Sequence, residues 1–188
     1  MLRVGCKKRT IRLVKLMRQA DISDFENIVE LYKYVINHTS DMGKNARWVY
    51  GQHPTDEMIK EYLYKDAMYV LEEDGKLLAA MAVTLSQGDD YHSINWQQDL
   101  QDDEVAVVHI LCVNPDYQKQ KIGKRMIEEA IQLAKQTGKK AVRLDALESN
   151  TPAHKMYEAL GFQCRGKLNL YAENTGWTDF LFFEFEGV

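Results

Sequence analysis

The pattern of apolar and polar positions is clearest in the middle of the chain. Val105–Val113 is an apolar run in which His109 is the only residue able to carry a charge, and such a run is typical of a strand buried on both faces. Pro115 ends the run because proline cannot donate a hydrogen bond to a sheet. From Ile122 onward the apolar residues recur at helical spacing. The pattern therefore predicts a buried strand, a polar loop at residues 118–124 and an amphipathic helix.

The remaining elements follow from the same two periodicities and from turn residues. Apolar faces predict helices that begin near Asp21 or Ser23 and at Thr55, and a short helix at 153–160. Further strands are predicted at residues 14–17, 67–72, 76–85, 141–147, 162–171 and 178–185. Asp74-Gly75 is the strongest short hairpin signal in the chain.

The order of these elements indicates one α/β (α+β) domain. A strand, a helix and a strand in succession need a crossover, so the strand at 141–147 should lie parallel to Val105–Val113. The last strand is rich in Phe and should be central or packed. We predict a mostly antiparallel mixed sheet flanked by helices, with residues 17–188 as the domain. Residues 1–16 form a basic leader that we expect to be disordered.

The net charge of −4 is unevenly distributed. The first 18 residues carry 7 of the 24 basic residues and no acid, which leaves 17 bases against 28 acids, or −11, for the rest. A nucleic-acid surface on the folded body is therefore not expected. The leader is either an arm for nucleic acid or membrane, or a disordered segment upstream of Met17; we favour the second.

Cysteine content and apolar runs bear on the compartment. Cys6, Cys112 and Cys164 are odd in number and lack metal-ligand spacing, which favours a reducing cytoplasm over a disulfide framework. No metal is expected. No apolar run reaches about 18 residues, so no membrane-spanning helix is predicted. Neither Gly-x-Ser-x-Gly nor a Walker-type loop is present, which weighs against a hydrolase or a nucleoside triphosphatase.

The loop after the central strand has the composition of an anion site. Its residues are Gln118, Lys119, Gln120, Lys121, Ile122, Gly123 and Lys124. The first turn of a helix presents unpaired main-chain N–H groups and the positive end of the helix dipole, which together bind phosphate. Basic side chains are unfavourable at that end of a helix unless an anion is bound. The loop therefore predicts a phosphate site in preference to a solvated helix start.

Two segments resemble motifs of the GCN5-related N-acetyltransferase (GNAT) family. The spacing Gln118-x-x-Lys121-x-Gly123 resembles that family's Gln/Arg-x-x-Gly-x-Gly/Ala pyrophosphate loop. Residues 150–162 resemble the family's closing helix in four features, which are Asn150, Ala153, Tyr157 and the terminal Gly161-Phe162. Lys121 is the departure from the family pattern, since a glycine usually stands there.

The resemblance implies acetyl-CoA as the cofactor and a place for each part of it. Three residues of the central strand would pair through their main chain with the pantetheine arm: Leu111, Cys112 and Val113. This pairing requires the central strand to splay from its parallel neighbour. Asn150 and Ala153 would contact the same arm. The loop 118–124 would hold the pyrophosphate, with the Lys121 ammonium group as an added contact and Gly123 permitting close approach of the main chain.

The implied acetyl transfer needs a general acid and a general base. Tyr157 matches the family's general acid, which protonates the departing sulfur; alternatively it is a core aromatic residue. His109 is the candidate base because its ordinary pKa of about 6.5 suits proton transfer near neutral pH, and both of its strand neighbours would point to the opposite face. His109 can equally be a core residue, and Glu104 and Asp145 are rival bases.

The sequence does not identify the acceptor amine. The loops at 38–54 and 87–103 should line its pocket, since loops on a fixed scaffold carry specificity. Trp48 and Tyr50 are candidate substrate contacts or local loop packing. Asp145 is a candidate for binding the ammonium group or for orienting His109. The acidic body favours a cationic small-molecule or peptide amine.

We therefore predict a cytoplasmic acetyl-CoA-dependent N-acetyltransferase, a monomer or homodimer, in which a neutral amine attacks the thioester directly. The alternative is a noncatalytic acyl-CoA-binding sensor domain with the same fold. The Lys121 residue in place of glycine is the feature that favours this alternative.

Overall fold

Residues 17–188 are the part of the chain that the computed structural model describes, and they contain one sheet flanked by helices. The strands are β1 (Arg18–Gln19), β2 (Met68–Glu73), β3 (Lys76–Thr84), β4 (Val105–Val113), β5 (Ala141–Leu147), β6 (Gln163–Ala172) and β7 (Gly176–Glu186). The helices are α1 (Phe25–His38), α2 (Met42–Asn45), α3 (Asp56–Tyr64), α4 (Ile122–Gln136) and α5 (Thr151–Ala159). The leader at 1–16 and most of the strand predicted at 14–17 lie outside the described residues.

The sheet has the predicted mixed topology. Its strand order is β1-β2-β3-β4-β5-β7-β6. β4 and β5 are parallel, and every other neighbouring pair is antiparallel. The predicted fold class and the parallel crossover are therefore confirmed. The last strand lies between β5 and β6, as its aromatic residues predicted. Among the described helices none is both long and apolar enough to cross a membrane.

Local signals explain where the elements start and turn. Asp74 and Gly75 both have positive φ angles, 50° and 73°, as the tight turn between β2 and β3 requires. The Thr55 hydroxyl accepts a hydrogen bond from the Met58 N–H at 3.1 Å and so caps α3. The side chain of Asp21 caps the short turn that precedes α1. These three sites were readable from the sequence.

The helices divide between the two faces of the sheet. α4 and α5 cover one face, where Met126, Ile127 and Leu144 are fully buried. α1 and α3 cover the other face at its β2–β4 half. The loop between β3 and β4 covers the rest of that second face, where Tyr91 and Ile94 pack on Phe182 and its neighbours.

A β-bulge at Ile110 determines the course of β4. Ile110 has a φ of 45°, which is rare for a β-branched residue, and the β3–β4 register shifts at this point. The Tyr32 hydroxyl donates a buried hydrogen bond of 2.7 Å to the Ile110 carbonyl. Parallel pairing with β5 ends at Val108 and Leu144. Beyond that pair the two strands diverge, because the bulge bends β4.

Because of the bulge, side chains along β4 do not alternate between the two faces of the sheet as expected. Val108 lies on the face opposite His109, as expected, and packs under α4. The expectation for Ile110 was wrong: it packs in the α1–α3 cluster, the same cluster that contains Tyr62, on which the His109 ring stacks. The extra residue of a bulge interrupts the two-residue period on which the expectation rested.

We expect Tyr32→Phe to destabilise the fold. The variant leaves the buried Ile110 carbonyl without its partner, which costs about 1–3 kcal/mol. Urea unfolding measures the loss. Tyr34→Phe on the same helix is the matched control, because the Tyr34 hydroxyl contacts Asp116 at the exposed surface, and it should leave the free energy of unfolding nearly unchanged. Equal stability of the two variants would contradict a supporting role for Tyr32.

Candidate active site

The divergence of β4 and β5 opens a cavity of about 380 Å³. β4 contributes Val108–Val113 to its lining, and β5 contributes Asp145–Leu147. Gln118, Asn150 and Tyr157 lie at its α4–α5 side. The opposite walls come from two segments, residues 35–53 and residues 172–180. The cavity thus joins the predicted cofactor residues to a second region formed by distant parts of the chain.

The loop before α4 has the main-chain geometry of an anion site. Lys119 and Lys121 have φ angles of 62° and 60°, so Lys121 takes the left-handed conformation that a glycine would favour. No main-chain N–H from residue 119 to residue 124 has an acceptor within residues 17–188. Six N–H groups around a helix start, with three lysines among them, are suited to a phosphate group.

The predicted pantetheine strand has an unpaired edge toward β5. Leu111, Cys112 and Val113 line the cavity. Among the described strands Cys112 and Val113 pair only with β3, and Leu111 lies in the bulge between paired positions. Burial raises the pKa of the Cys112 thiol to about 12. A protonated thiol is a poor nucleophile, so Cys112 contributes main chain and packing to this wall.

The start of α5 offers a side-chain amide to the cavity. Asn150 caps α5 by accepting from the Ala153 N–H at 3.4 Å through its side-chain oxygen, which leaves its NH₂ group available. Ala153 itself packs on the core outside the cavity lining. A side chain at Gly123 would meet Met156 and Val113, so the Cβ position faces the α4–α5 packing. Ile122 is buried in the same core.

Tyr157 projects from α5 into the cavity lining. Its ring packs against Phe162 and, edge-on, against Phe183. The hydroxyl has no hydrogen-bond partner in the described part of the chain. Burial, followed by the nearby charge of Asp145, raises the pKa of Tyr157 above its ordinary value, so the hydroxyl keeps its proton at neutral pH. Its position and protonation suit a proton donor.

His109 lines the cavity in a neutral form. Burial lowers its pKa to about 4, with a smaller contribution from His53. Thr84 donates its hydroxyl proton to the Ser86 carbonyl at 2.9 Å, so the 3.1 Å contact between His109 Nε2 and Thr84 has the histidine as donor. The proton then lies on Nε2, and the Nδ1 lone pair has no hydrogen-bond partner among residues 17–188.

Asp145 is the carboxylate of the cavity. The Tyr91 hydroxyl donates to its Oδ1 at 2.7 Å, and burial raises the pKa of Asp145 above its ordinary value. Glu104, the other rival base, lies outside the cavity lining. It pairs with Lys140, which lowers the pKa of the Glu104 carboxyl.

The predicted acceptor contacts separate into two groups. Trp48 lines the cavity. Tyr50 does not, and its hydroxyl donates to Asp56 at 2.5 Å. The loop at 87–103 contributes no residue to the lining; it reaches the cavity only through the contact of Tyr91 with Asp145. The roles assigned to the site residues stay predictions.

An ion pair explains why the 87–103 loop lies on the sheet. Arg143 is 1% exposed and donates to Glu184 at 2.8 and 3.0 Å and to Gln87 at 2.6 Å. The Trp96 ring lies 4.0 Å from its guanidinium carbon. In the sequence Arg143 and Asp145 alternate with the apolar residues of β5, which places the two on one face of the strand but does not show that a loop covers them.

The sequence did not single out four residues of the cavity lining: Thr39, His53, Tyr62 and Asn174. Thr39 and His53 fall within the loop 38–54 that was expected to line the pocket, whereas Tyr62 and Asn174 lie outside both predicted loops. No short motif marks them, because they come together only in the folded chain. A polar loop carrying both a histidine and a tryptophan, at residues 48–53, was the one available signal.

A sequence model of the acetyltransferase (GNAT) family matches residues 31–162 of this chain. The chain belongs to the GNAT family. An uncharacterized N-acetyltransferase from Methanocaldococcus jannaschii is 29% identical over 161 residues, which are 84% of this chain and 62% of that protein. A probable N-acetyltransferase, camello, from Xenopus laevis is 40% identical over 62 residues, 33% of this chain and 28% of its own. This GNAT chain thus spans less than two thirds of both relatives.

Solved structures show the same GNAT fold. The ribosomal-protein-S18-alanine N-acetyltransferase of Escherichia coli has a TM-score of 0.66 at 18% identity, covering 92% of this chain and 94% of its own. An acetyltransferase from Salmonella typhimurium, solved with its cofactor acetyl-CoA, has a TM-score of 0.63 at 18% identity over 93% and 94% of the two chains. At this identity the likeness shows the fold alone.

The left-handed conformation of Lys121 leads to a stability prediction. Lys121→Gly should be more stable than Lys121→Ala by about 1 kcal/mol, because only glycine adopts this φ without strain. Lys124 is the matched control: inside α4 the order should reverse, with Lys124→Gly less stable than Lys124→Ala by about 1 kcal/mol. Urea unfolding of the four variants measures both differences. If the glycine variant were the more stable one at both positions, or the alanine variant at both, the left-handed conformation of Lys121 would be contradicted.

The low pKa of His109 predicts a dependence of stability on pH. The folded-state pKa of about 4 lies below the ordinary value of 6.5, so the unfolded chain takes up this proton first as pH falls. His109 therefore destabilises the fold progressively between these two values, by up to about 3 kcal/mol. His109→Gln should flatten the acid limb of unfolding free energy against pH.

His92 is the control of opposite sign. Its hydrogen bond with Asp102 raises the pKa of His92, so its stabilising contribution is present at acid pH and lost as pH rises. His92→Gln should therefore weaken the fold at acid pH. Two results would contradict the low pKa of His109. One is a free energy of unfolding that falls with acid pH in His109→Gln as steeply as in the wild type. The other is that His109→Gln removes a titration near neutral pH from the pH profile of kcat/KM.

Proposed function

We propose that this chain is an acetyl-CoA-dependent N-acetyltransferase that acetylates a primary amine by direct attack on the thioester. The observation that carries the proposal is the opening between β4 and β5 next to the unpaired N–H groups of residues 119–124. A long thin cofactor with a phosphate end and a hydrogen-bonding arm matches both features at once. Family membership and the acetyl-CoA in the Salmonella structure support the same cofactor.

Each part of the cofactor has a suitable partner. The loop 118–124 would hold the pyrophosphate through main-chain N–H groups, with Lys121 supplying charge. The unpaired edge of β4 at 111–113 would pair with the amide groups of the pantetheine arm, as one strand pairs with another. Asn150 has a free NH₂ group for the same arm. The thioester end then lies in the cavity that Tyr157, His109 and Asp145 line.

The proposed reaction balances with one proton donor and one acceptor. The neutral amine attacks the thioester carbonyl carbon, the new C–N bond forms, and the C–S bond breaks. Tyr157 gives its proton to the departing sulfur, which leaves as the thiol. An amine that enters as an ammonium group, which Asp145 favours, first loses one proton to solvent through Asp145 or the Nδ1 of His109. The second proton, lost as the C–N bond forms, leaves by the same route, and a proton from solvent restores Tyr157.

The low basicity of His109 favours one second candidate, a noncatalytic acyl-CoA-binding sensor domain. A group with a pKa of about 4 is a weak base for catalysis near neutral pH. The sequence favoured this candidate because Lys121 replaces the family's usual glycine. That argument is weaker now, because Lys121 adopts the left-handed conformation that a glycine would take. Coenzyme A release with a panel of amines separates the two functions, since a sensor binds acetyl-CoA without turnover.

The cellular setting stays a prediction. The small number of cysteines, without disulfide or metal spacing, favours a reducing cytoplasm. A monomer or homodimer is the expected assembly. A cationic small molecule or peptide is the expected acceptor, and neither nucleic acid nor membrane is an expected partner of the folded body.

Tyr157→Phe tests the catalytic role. The variant keeps the ring in its aromatic cluster and removes only the oxygen. We expect kcat to fall by about 10²–10⁴-fold, while the Kd for acetyl-CoA changes little, because the interaction is made in the transition state. Tyr69→Phe is the matched control, since Tyr69 packs against the same core outside the cavity. A fully active Tyr157→Phe protein would remove the general-acid assignment.

A further inference from the structure

Two residues of the cavity lining carry buried polar oxygen atoms that the proposed reaction does not use. The Thr39 hydroxyl and the Asn174 side-chain oxygen are both buried without a hydrogen-bond partner within residues 17–188. Both residues line the cavity. A buried polar atom without a partner is costly, and it is a frequent mark of a binding site. Both atoms can accept a hydrogen bond from a ligand.

The orientation of the Asn174 amide is fixed by its contact with the main chain of Arg47. Its NH₂ group donates to the Arg47 carbonyl at 2.8 Å, which only the nitrogen side of the amide can do. The oxygen is therefore the free end. Thr39 follows α1, where its main-chain N–H donates to Val35. The two oxygens belong to opposite walls, one before α2 and one in the turn between β6 and β7.

Among the described residues that line the cavity, the one permanently charged side chain is acidic and none is basic. Asp145 is the only acidic residue of the lining, and no Lys or Arg accompanies it in the described part of the chain. His53 and His109 are the other titratable bases, and burial lowers the pKa of each. A ligand carboxylate would therefore meet the Asp145 carboxylate without a permanent cation. An ammonium group would instead find Asp145 with the Trp48 and Tyr62 rings.

The size of the cavity limits the acceptor. At about 380 Å³ it lies at the low end of the range for small-molecule sites, and the acetyl end of the cofactor shares this volume. Two contacts tie the 44–47 segment to residues beside the lining: Asn174 donates to the Arg47 carbonyl, and Ser149 donates to the Lys44 carbonyl at 2.7 Å. A small acceptor fits this space better than a folded protein surface does.

We propose that the acceptor is a small primary amine that bears a second hydrogen-bond-donating group and no carboxylate. Its ammonium group faces Asp145, and its second donor reaches the Asn174 and Thr39 oxygens. This inference rests on the proposed function, because it names the substrate class of the same site. It makes Thr39 and Asn174 specificity-determining residues.

Three amines of equal chain length test the substrate class. β-Alaninamide has an amine and a donating amide, propylamine has only the amine, and β-alanine has a carboxylate in place of the amide. Titration calorimetry with the coenzyme A-loaded protein should show β-alaninamide binding tightest. Propylamine should bind about tenfold more weakly, and β-alanine about a hundredfold more weakly or worse, because its carboxylate approaches Asp145.

Two variants assign the preference to named residues. Thr39→Val should reduce the preference for β-alaninamide over propylamine by about fivefold. Its melting temperature should not fall, because the lost hydroxyl has no partner in the free protein. Thr178→Val, on β7 outside the cavity lining, is the matched control and should keep the wild-type preference. Asp145→Asn should bring β-alanine to within about tenfold of β-alaninamide.

The binding order and the turnover answer different questions. β-Alanine or propylamine binding as tightly as β-alaninamide, or no binding by any of the three amines, would overturn the substrate class. Release of coenzyme A from acetyl-CoA with the same amines tests catalysis. The expected binding order without such release would support the substrate class and overturn the catalytic function.

Discussion

The hydrogen bond from Tyr32 to the Ile110 carbonyl supports the distortion on which the site depends. Without a bulge, β4 and β5 would continue their parallel pairing to the ends of both strands, and no cavity would open between them. A positive φ at an isoleucine is costly, and a buried tyrosine hydroxyl pays for part of that cost. The helix that carries Tyr32 also carries one cavity wall, so a single helix holds the bulge and borders the opening.

Burial sets the protonation states in this opening. The same apolar surroundings keep His109 and His53 neutral and keep the Tyr157 hydroxyl protonated. Burial also raises the pKa of the Asp145 carboxyl group. The hydrogen bond from the Tyr91 hydroxyl lowers this pKa and so opposes the effect of burial. Tyr91 in turn depends on the loop that Arg143 and Glu184 fix to the sheet. The buried Arg143–Glu184 ion pair thereby helps to position Asp145, the one carboxylate that the described residues contribute to the cavity lining.

The parts of the fold that could be predicted are those that local chemistry determines. The turn at Asp74-Gly75, the helix cap at Thr55 and the crossover from β4 through α4 to β5 each follow from neighbouring residues. The bulge at Ile110 could not be predicted, since nothing in a run of apolar residues marks a positive φ. Lys121 in a left-handed conformation is likewise contrary to local preference and is held by the folded loop.

The candidate site likewise contains residues that local sequence motifs identify and residues that only tertiary packing brings together. Gln118 and Asn150 each belong to a short motif, which is why the sequence named them, and both line the cavity. Thr39 was covered only by the predicted loop 38–54 and Asn174 not at all, since the two lie more than a hundred positions apart and meet only through tertiary packing. Nothing local to β5 shows that Arg143 is buried, because its cover comes from a distant loop.

The contacts of Ser149 with Lys44 and of Asn174 with Arg47 make unequal demands on the residue types at their two ends. Ser149 and Asn174 use their side chains, whereas Lys44 and Arg47 offer only main-chain carbonyl groups. The carbonyl at 44 is supplied whatever the side chain, and the carbonyl at 47 by any residue that tolerates its φ of 53°, so substitutions at these two positions can leave both contacts intact. A substitution at 149 or 174 removes the donating side chain. Relatives with a different residue at 174 would therefore lose the contact with residue 47 and the unpaired oxygen together, because one amide supplies both.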